Sequence, residues 1–514
     1  MDLVSATRAE INAGLRAPGA SLGANQLTFS VAVADSSWAG YDAGSEPFTG
    51  YSAFDATQAA NFIKAIAAWD EVIKANFTQV VDDGQTSGEV RVAFADITDP
   101  GTAGYAYQGG PQAPGSEVGD IWIDNESTGA SMAPGTYDFE VLIHEIGHTL
   151  GLKHPFEGTP LPTGYDDAQF TVMSYTHNAT LVTVTLEGNS VSSNFETVSA
   201  VTPMVLDIAA AQAIYGVDTT TRASATTYTF TQGQAQVQTI WDAGGKDTID
   251  VSNFTRACNI DLRAGAYSDI GVWTLDDQVR SFKPVRQPGE SDFSFQNRMS
   301  TYQFFVDFVN TDVRDSIQQN GITPFEFRSN LAIALGVTIE NATGGAAADR
   351  ISGNAVANVL TGGAGADALS GLGGNDTLSG GTGGDKLSGG AGNDTLRGGT
   401  GRDVLTGGSG VDSFVFASGE SSRTHASSDR ITDFSHAQGD RIDLSRIDAS
   451  SMTTGNQAFA FIGNAAFDKV AGQLHVMTDG GNTYVEGDTN GDGLADFAIR
   501  LDGAVSLMAG DFVL

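Results

Sequence analysis

The sequence predicts an α+β domain in its first half and an all-β domain, a parallel β-roll, in its second. Three observations carry that division. Residues 144–154 read His-Glu-Ile-Gly-His-Thr-Leu-Gly-Leu-Lys-His, a helical string whose histidines recur at metal-ligand spacing. From Gly344 the chain falls into nine-residue repeats that hold glycine, aspartate and an apolar residue in fixed phase. At 514 residues it is long enough for two or three domains and a sizeable core.

In the first half, Asp55 to Phe77 reads as an amphipathic helix with Phe62, Ile66, Trp69 and Ile73 on one side. Gly119-Asp120-Ile121-Trp122-Ile123-Asp124 reads as a short strand. The histidine string follows. His144 and His148 are four apart, so on a helix they lie one above the other on the same face. That spacing lets two imidazoles grip one Zn²⁺, with Glu145 beside them as a base for water. Gly151 can end the helix in a left-handed conformation, so that the chain bends and brings His154 round as third ligand. Three protein ligands leave one position open, as in a catalytic zinc site. Only seven histidines occur in the whole chain and three stand in this register, which argues against a core helix with scattered histidines.

In the second half, well-formed repeats start at Gly362 with Asp367, Gly371 with Asp376, Gly380 with Asp385, Gly389 with Asp394, Gly398 with Asp403 and Gly407 with Asp412. Units at Gly344 and Gly353 are degenerate, the latter carrying Asn358 in place of the aspartate. This is the calcium-binding nonapeptide of RTX proteins. Glycines permit tight turns and expose carbonyls, each Asp supplies a hard carboxylate, and the Leu or Phe two residues on points inward from a short strand. A flexible linker would not hold that phase. Without ions, rows of Asp repel and the glycine-rich loops lose too much entropy on ordering, so the roll should fold only where calcium is plentiful, outside the cell.

Composition agrees. Lys and Arg number 26 against 62 Asp and Glu, a formal charge of −36 that repels nucleic acid and anionic membranes and suits divalent cations. The single cysteine, Cys258, excludes an internal disulfide framework. No stretch is long and apolar enough to span a bilayer, and the first 30 residues show no Sec-type signal.

With Phe170-Thr171-Val172-Met173-Ser174-Tyr175 after the third histidine, the sequence resembles the metzincin zinc proteases, and within them the serralysins. The resemblance implies an α+β metzincin protease domain, then the RTX β-roll and a C-terminal β-sandwich. It implies that Met173 forms an apolar floor beneath the zinc. Tyr175 becomes a displaceable zinc ligand that stabilises the oxyanion, and Gly119, Asp120, Ile121 and Trp122 form the edge strand that pairs with substrate. The stretch Thr202 to Gly216 resembles the helix that closes the protease domain. Trp241–Asp247 and Gly336–Asn341 resemble the family's approach to the roll, where Asp242, Gly244, Gly245, Asp247, Thr338 and Glu340 are expected calcium ligands. Residues 429–434 and 440–444 resemble the β-sandwich. Asp488-Thr489-Asn490-Gly491-Asp492-Gly493 is EF-hand-like but lacks the later Glu, and reads as a turn.

The expected organisation is a short propeptide within 1–30, a protease domain over 31–216, and a segment over 217–343 leading to the roll. The roll itself covers 344–416 and the β-sandwich 417–514. One catalytic Zn²⁺ and several structural Ca²⁺ are implied, with protein or peptide substrates, type I secretion machinery and a proteinaceous inhibitor as partners. The ending Asp511-Phe512-Val513-Leu514 resembles an uncleaved secretion signal. Two stretches depart from the family: 272–330 is far longer than serralysins have there, with Phe304, Phe305 and Phe308 expected on a helix, and 176–199 is unfamiliar. Substrate preference is therefore open. A lipase reading rests on Gly19-Ala20-Ser21-Leu22-Gly23, which lacks the strand-turn-helix context of a nucleophile. The alternative of a non-catalytic RTX adhesin or surface-layer-associated protein leaves Glu145 without a purpose.

Overall fold

The computed structural model describes every residue except 1–4, 20, 23–25, 39, 43, 46–48, 84–85, 109–116, 178, 235–236 and 327. Ala20 and Gly23 of the formal serine motif therefore lie outside the described residues. The chain forms two compact units: Met1–Ala223 with Gly233–Ala243 and Trp273–Val337, and Ser224–Gln232 with Gly244–Val272 and Thr338–Leu514. No described helix is long and apolar enough to cross a membrane.

The first unit begins with α1 (Arg8–Leu15), whose Ile11 and Leu15 are fully buried. Then come β1 (Gln26–Val31), α2 (Ala56–Asp70), β2 (Asn76–Gln79), β3 (Val90–Ala95), β4 (Gly104–Ala106), β5 (Asp120–Asp124) and α3 (Tyr137–Thr149). Asp55 caps α2 through the backbone N–H groups of Thr57 and Gln58. The apolar stripe of α2 buries Phe62, Ile66 and Trp69, with Phe62 edge-on to Phe29 of β1. This helix stops at Asp70, short of the expected Phe77, because Phe77 joins β2; Ile73 stays buried in the turn and bridges to Val217.

The five strands run in the order β2-β1-β3-β5-β4, all parallel except β4. That order corrects one expectation. Gly119 to Trp122 do not form an edge: β5 is paired on both sides, parallel to β3 and antiparallel to β4. Asp120 faces a buried Arg91 in a two-pronged ion pair at 2.8–2.9 Å and accepts from Tyr41 Oη at 2.9 Å. The edge on this side belongs to the three residues of β4, which double back on β5, and β2 forms the other.

The hairpin β6 (Thr180–Glu187) and β7 (Ser190–Thr197) precedes α4 (Val205–Tyr215). The long segment expected as an insertion folds as α5 (Leu275–Ser281), α6 (Asp292–Phe308) and α7 (Arg314–Gln319). Phe304, Phe305 and Phe308 do lie on a helix, and Phe305 is its buried member. The two unfamiliar stretches turn out to be partners. Val182 and Val184 of β6 bury against Leu275, Phe305, Val309 and Val313, and Gln278 Nε2 donates to Val182 O at 2.9 Å.

In the second unit, successive nonapeptides alternate between two sheets of parallel strands, so the register repeats every second unit. Leu360, Leu378, Leu396 and Phe414 align in one sheet, and Leu369, Leu387 and Leu405 in the other, all at most 2% exposed. Strands after 417 extend these same sheets: Ile431 pairs with Leu501 in one, Ile442 with Phe512 in the other.

Candidate active site

Thr136 starts α3 by accepting from Phe139 N at 3.3 Å, and the helix ends where Gly151 takes φ +93°. Leu152 N then donates back to Gly147 O, and the chain turns to bring in His154 as the spacing predicts. His148 Nε2 lies 3.1 Å from His154 Nε2, which lies 3.3 Å from His144 Nε2. Four-coordinate zinc at about 2.0–2.1 Å from each nitrogen sets neighbouring ligands about 3.3–3.4 Å apart, so the triad fits that ion. Among the described residues it is the one group of three metal-ligating side chains whose ligand atoms all lie within 4.8 Å of one another.

The outer ring nitrogens are all anchored. His144 Nδ1 donates to Val172 O at 2.7 Å, His148 Nδ1 to Leu152 O at 3.0 Å, and His154 Nδ1 to Glu157 Oε1 at 2.8 Å. Those bonds leave the inner Nε2 lone pairs pointing at one another, an arrangement that calls for a cation. Burial pushes His144 well below the ordinary histidine pKa and His148 down to about 4, with neighbouring imidazoles acting the same way. Both rings stand neutral, as ligands must.

Glu145 is 4% exposed and its Oε2 has no hydrogen-bond partner. Burial pushes its carboxyl up to about 8. It lines a cavity of about 340 Å³ together with His144, Gly104 of the sheet edge and Tyr175. The Tyr175 hydroxyl donates to His154 Nε2 at 2.6 Å, so the phenol reaches the mouth of the triad from an exposed position.

Met173 is fully buried beneath α3. Gly147, inside the histidine string, makes room for it: a Cβ there would stand 2.7 Å from Met173 Sδ. The turn is braced by Asp207 of α4, which accepts from Thr171 Oγ1, from Val172 N at 2.8 Å and from Met204 N at 2.9 Å. Val172 is also the residue that holds His144, so Asp207 positions both a ligand and the floor. Sequence reasoning missed Asp207; its signal was a lone charge in the apolar run Val205-Leu206-Asp207-Ile208. Lys153 was missed as well. Its ammonium, in a buried residue, donates to the carbonyls of Gly14, Glu157 and Thr159, and Lys153 N donates to Leu15 O, so α1 buttresses the ligand loop.

In the second unit, Asp367, Asp376, Asp385, Asp394, Asp403 and Asp412 are at most 1% exposed. One oxygen of each accepts the backbone N–H eighteen residues earlier, as in Asp367 N to Asp385 Oδ1 at 2.8 Å. The other oxygen, Oδ2, has no hydrogen-bond partner in any of the six. A Cβ at Gly362, Gly380, Gly389 or Gly398 would fall 2.2–2.4 Å from that oxygen, so glycine is required where the carboxylate crosses the turn. Buried carboxylate oxygens left over beside turn carbonyls fit a hard cation such as Ca²⁺. Asn358 shows the contrast: its Nδ2 donates to Glu340 O and Asn354 Oδ1, and its Oδ1 accepts from Asn354 N, so nothing is left over. Asp247 and Glu340 are brought together, Asp247 N donating to Glu340 Oε2 at 2.7 Å, and Gly244 and Gly245 take left-handed φ beside Asp247. Asp242 is buried in the first unit, and Thr338 is exposed.

Helix, triad and methionine turn have the form of an M10 metallopeptidase centre, and the comparisons agree. Residues 49–161 match the matrixin model of peptidase family M10, and residues 204–280 and 325–514, more than half the chain, match the peptidase M10 serralysin C terminal. The chain belongs to the serralysin family of M10 peptidases. It is 32% identical over 250 residues to serralysin of Proteus mirabilis, covering 42% of this chain and 49% of that protein. It is 33% identical over 244 residues to the metallopeptidase AprA of Pseudomonas marginalis (43% and 50%), and 32% over 246 residues to serralysin A of Dickeya chrysanthemi (43% and 49%). The chain spans about half the length of the curated relatives it matches.

Proposed function

We propose that this chain is a secreted, zinc-dependent endopeptidase. The observation that carries the reading is the convergence of three Nε2 atoms beside a buried glutamate with an unpartnered oxygen. His144, His148 and His154 would hold the ion. When bound there, Zn²⁺ supplies Lewis acidity, polarising a scissile carbonyl and lowering the pKa of water from about 15.7 towards 7. The protein does the rest. Glu145 takes the proton of the attacking water at Oε2 and returns it to the leaving amine nitrogen. Tyr175, exposed at the mouth, donates its hydroxyl hydrogen to the oxyanion as charge develops. An extended peptide pairs with the free edge of β4, whose Gly104 lines the cleft.

The repeats of the second unit form, in this reading, a calcium-filled β-roll that orders outside the cell after type I export. Six leftover carboxylate oxygens support it. The decisive experiment pairs metal analysis with Glu145→Gln. The variant should keep stoichiometric zinc and its melting temperature while casein cleavage falls to background, because Glu145 is not a ligand. Wild-type cleavage by Glu145→Gln sinks the mechanism.

A further inference from the structure

Beside the cleft lies a second cavity, of about 230 Å³. His177 lines both, so the two adjoin at that residue. That side chain is held in place: its Nε2 donates to Glu140 Oε1 at 2.9 Å, and the buried Glu140 accepts Ala200 N at 3.1 Å through Oε2. The opposite wall comes from the end of the inserted segment. Thr180 N donates to Thr323 O at 2.9 Å and Phe325 N to Thr180 O at 2.7 Å, so residues 323–325 run alongside the chain leaving the active site. Phe325 packs there on Val198, with Ala179 and Val237 against them. The family match breaks off between 280 and 325, so Thr323 and Pro324 add a wall outside the shared family region.

The cavity is smaller than the roughly 300–1,000 Å³ of sites for whole small molecules. It suits one side chain. Ala168, Ala179, Val198, Val237, Pro324 and Phe325 make its lining mainly apolar, Asp167, Gln169 and His177 are among its polar members, and exposed Arg328 pairs with Glu326 at 3.1 Å. We infer that this cavity is a second subsite of the cleft, taking a large apolar side chain of the bound peptide at a position away from the scissile bond. The inference rests on the endopeptidase reading and names part of its substrate preference.

The test is a cleavage profile of the full-length protein, with zinc and calcium, on a peptide library varied at each position around the cut. Two variants narrow the cavity, Ala179→Phe at a half-buried wall and Arg328→Trp at the exposed rim, where folding is little at risk. Wild type should prefer Leu, Met or Phe over Gly at one position removed from the cut. Either folded variant should cut that preference by about tenfold or more, the order that one or two methylenes command, and leave the other positions and the rate on Gly peptides unchanged. Cleavage with profiles that neither variant alters overturns the subsite alone. A wild type that cuts no peptide overturns the endopeptidase reading, and the subsite with it.

Discussion

The histidine centre and the repeat stack both bury carboxylate oxygens without partners, but they do so at opposite scales. At the centre there is one, Glu145, and the ligands around it are already oriented by Val172 O, Leu152 O and Glu157. In the stack the deficit recurs in six aspartates. A site whose ligands are held by protein tolerates loss of its ion. A region whose own turns are incomplete without ions does not.

The largest expected effect follows from that difference. A calcium-selective chelator should abolish the β circular dichroism of residues 344–416, whereas zinc removal alone should leave the first unit folded. Magnesium should restore the signal poorly, since it demands stricter octahedral geometry. Persistence of the full signal in excess chelator, with no bound metal, would erase the distinction. Acidity sharpens it. Burial pushes Asp403 up to about 7 and Asp376, Asp385 and Asp412 up to about 6. The raised values mean that the calcium-free stack is most stable with these groups protonated, below about pH 4, and loses stability as pH climbs to 6–7. Calcium needs the ionised form, so its affinity should rise over the same interval, with protons released on binding. Titration calorimetry in buffers of different ionisation enthalpy reads both.

Next in size is Tyr175→Phe, expected to lower kcat by about 10²–10³ with little change in KM, as for loss of one oxyanion donor. A change confined to KM would make Tyr175 a binding residue only. Asp207→Ala should cost about 2–4 kcal/mol in unfolding, because two buried N–H groups and a hydroxyl lose their acceptor. It should also weaken zinc about 10–100-fold through the loosened Val172–His144 contact. Unchanged zinc affinity in a destabilised protein would reduce Asp207 to a packing role. The smallest effect concerns Leu372. It takes φ +74° at the phase where Gly363, Gly381, Gly390, Gly399 and Gly408 stand. Leu372→Gly should stabilise the calcium-loaded stack by about 0.5–1 kcal/mol, the left-handed penalty less glycine's added entropy, readable as a raised melting temperature.

What was legible in the sequence was what spacing alone determines. His144, His148, Gly151 and His154 encode a helix, a stop and a return within eleven residues, and the aspartates encode a stack by their period. Elements fixed by distant pairing were not legible. β4 is too short for any periodicity to register, and the edge implied by the family resemblance falls on its apolar neighbour β5. Asp207 meets the methionine turn from 35 residues away. The packing of β6 against α5 and α6 joins two stretches whose separate sequences carry no mark of each other.

The aspartate ladder also has a direction. Each backbone N–H is received by a carboxylate that lies later in the chain: Asp385 N by Asp403, Asp403 N by Asp429, Asp394 N by Asp412, and Asp412 N by Asp440. In this ladder each aspartate N–H takes its acceptor from a later coil, while the amides that start the strands run the other way, Lys386 N donating to Asp367 O and Thr395 N to Asp376 O. The ladder is therefore completed from its C-terminal side, where Asp429 and Asp440 provide acceptors from outside the repeats. Order laid down there can pass backward along the ladder, while a coil formed first near Gly362 would lack the Asp385 carboxylate that receives Asp367 N.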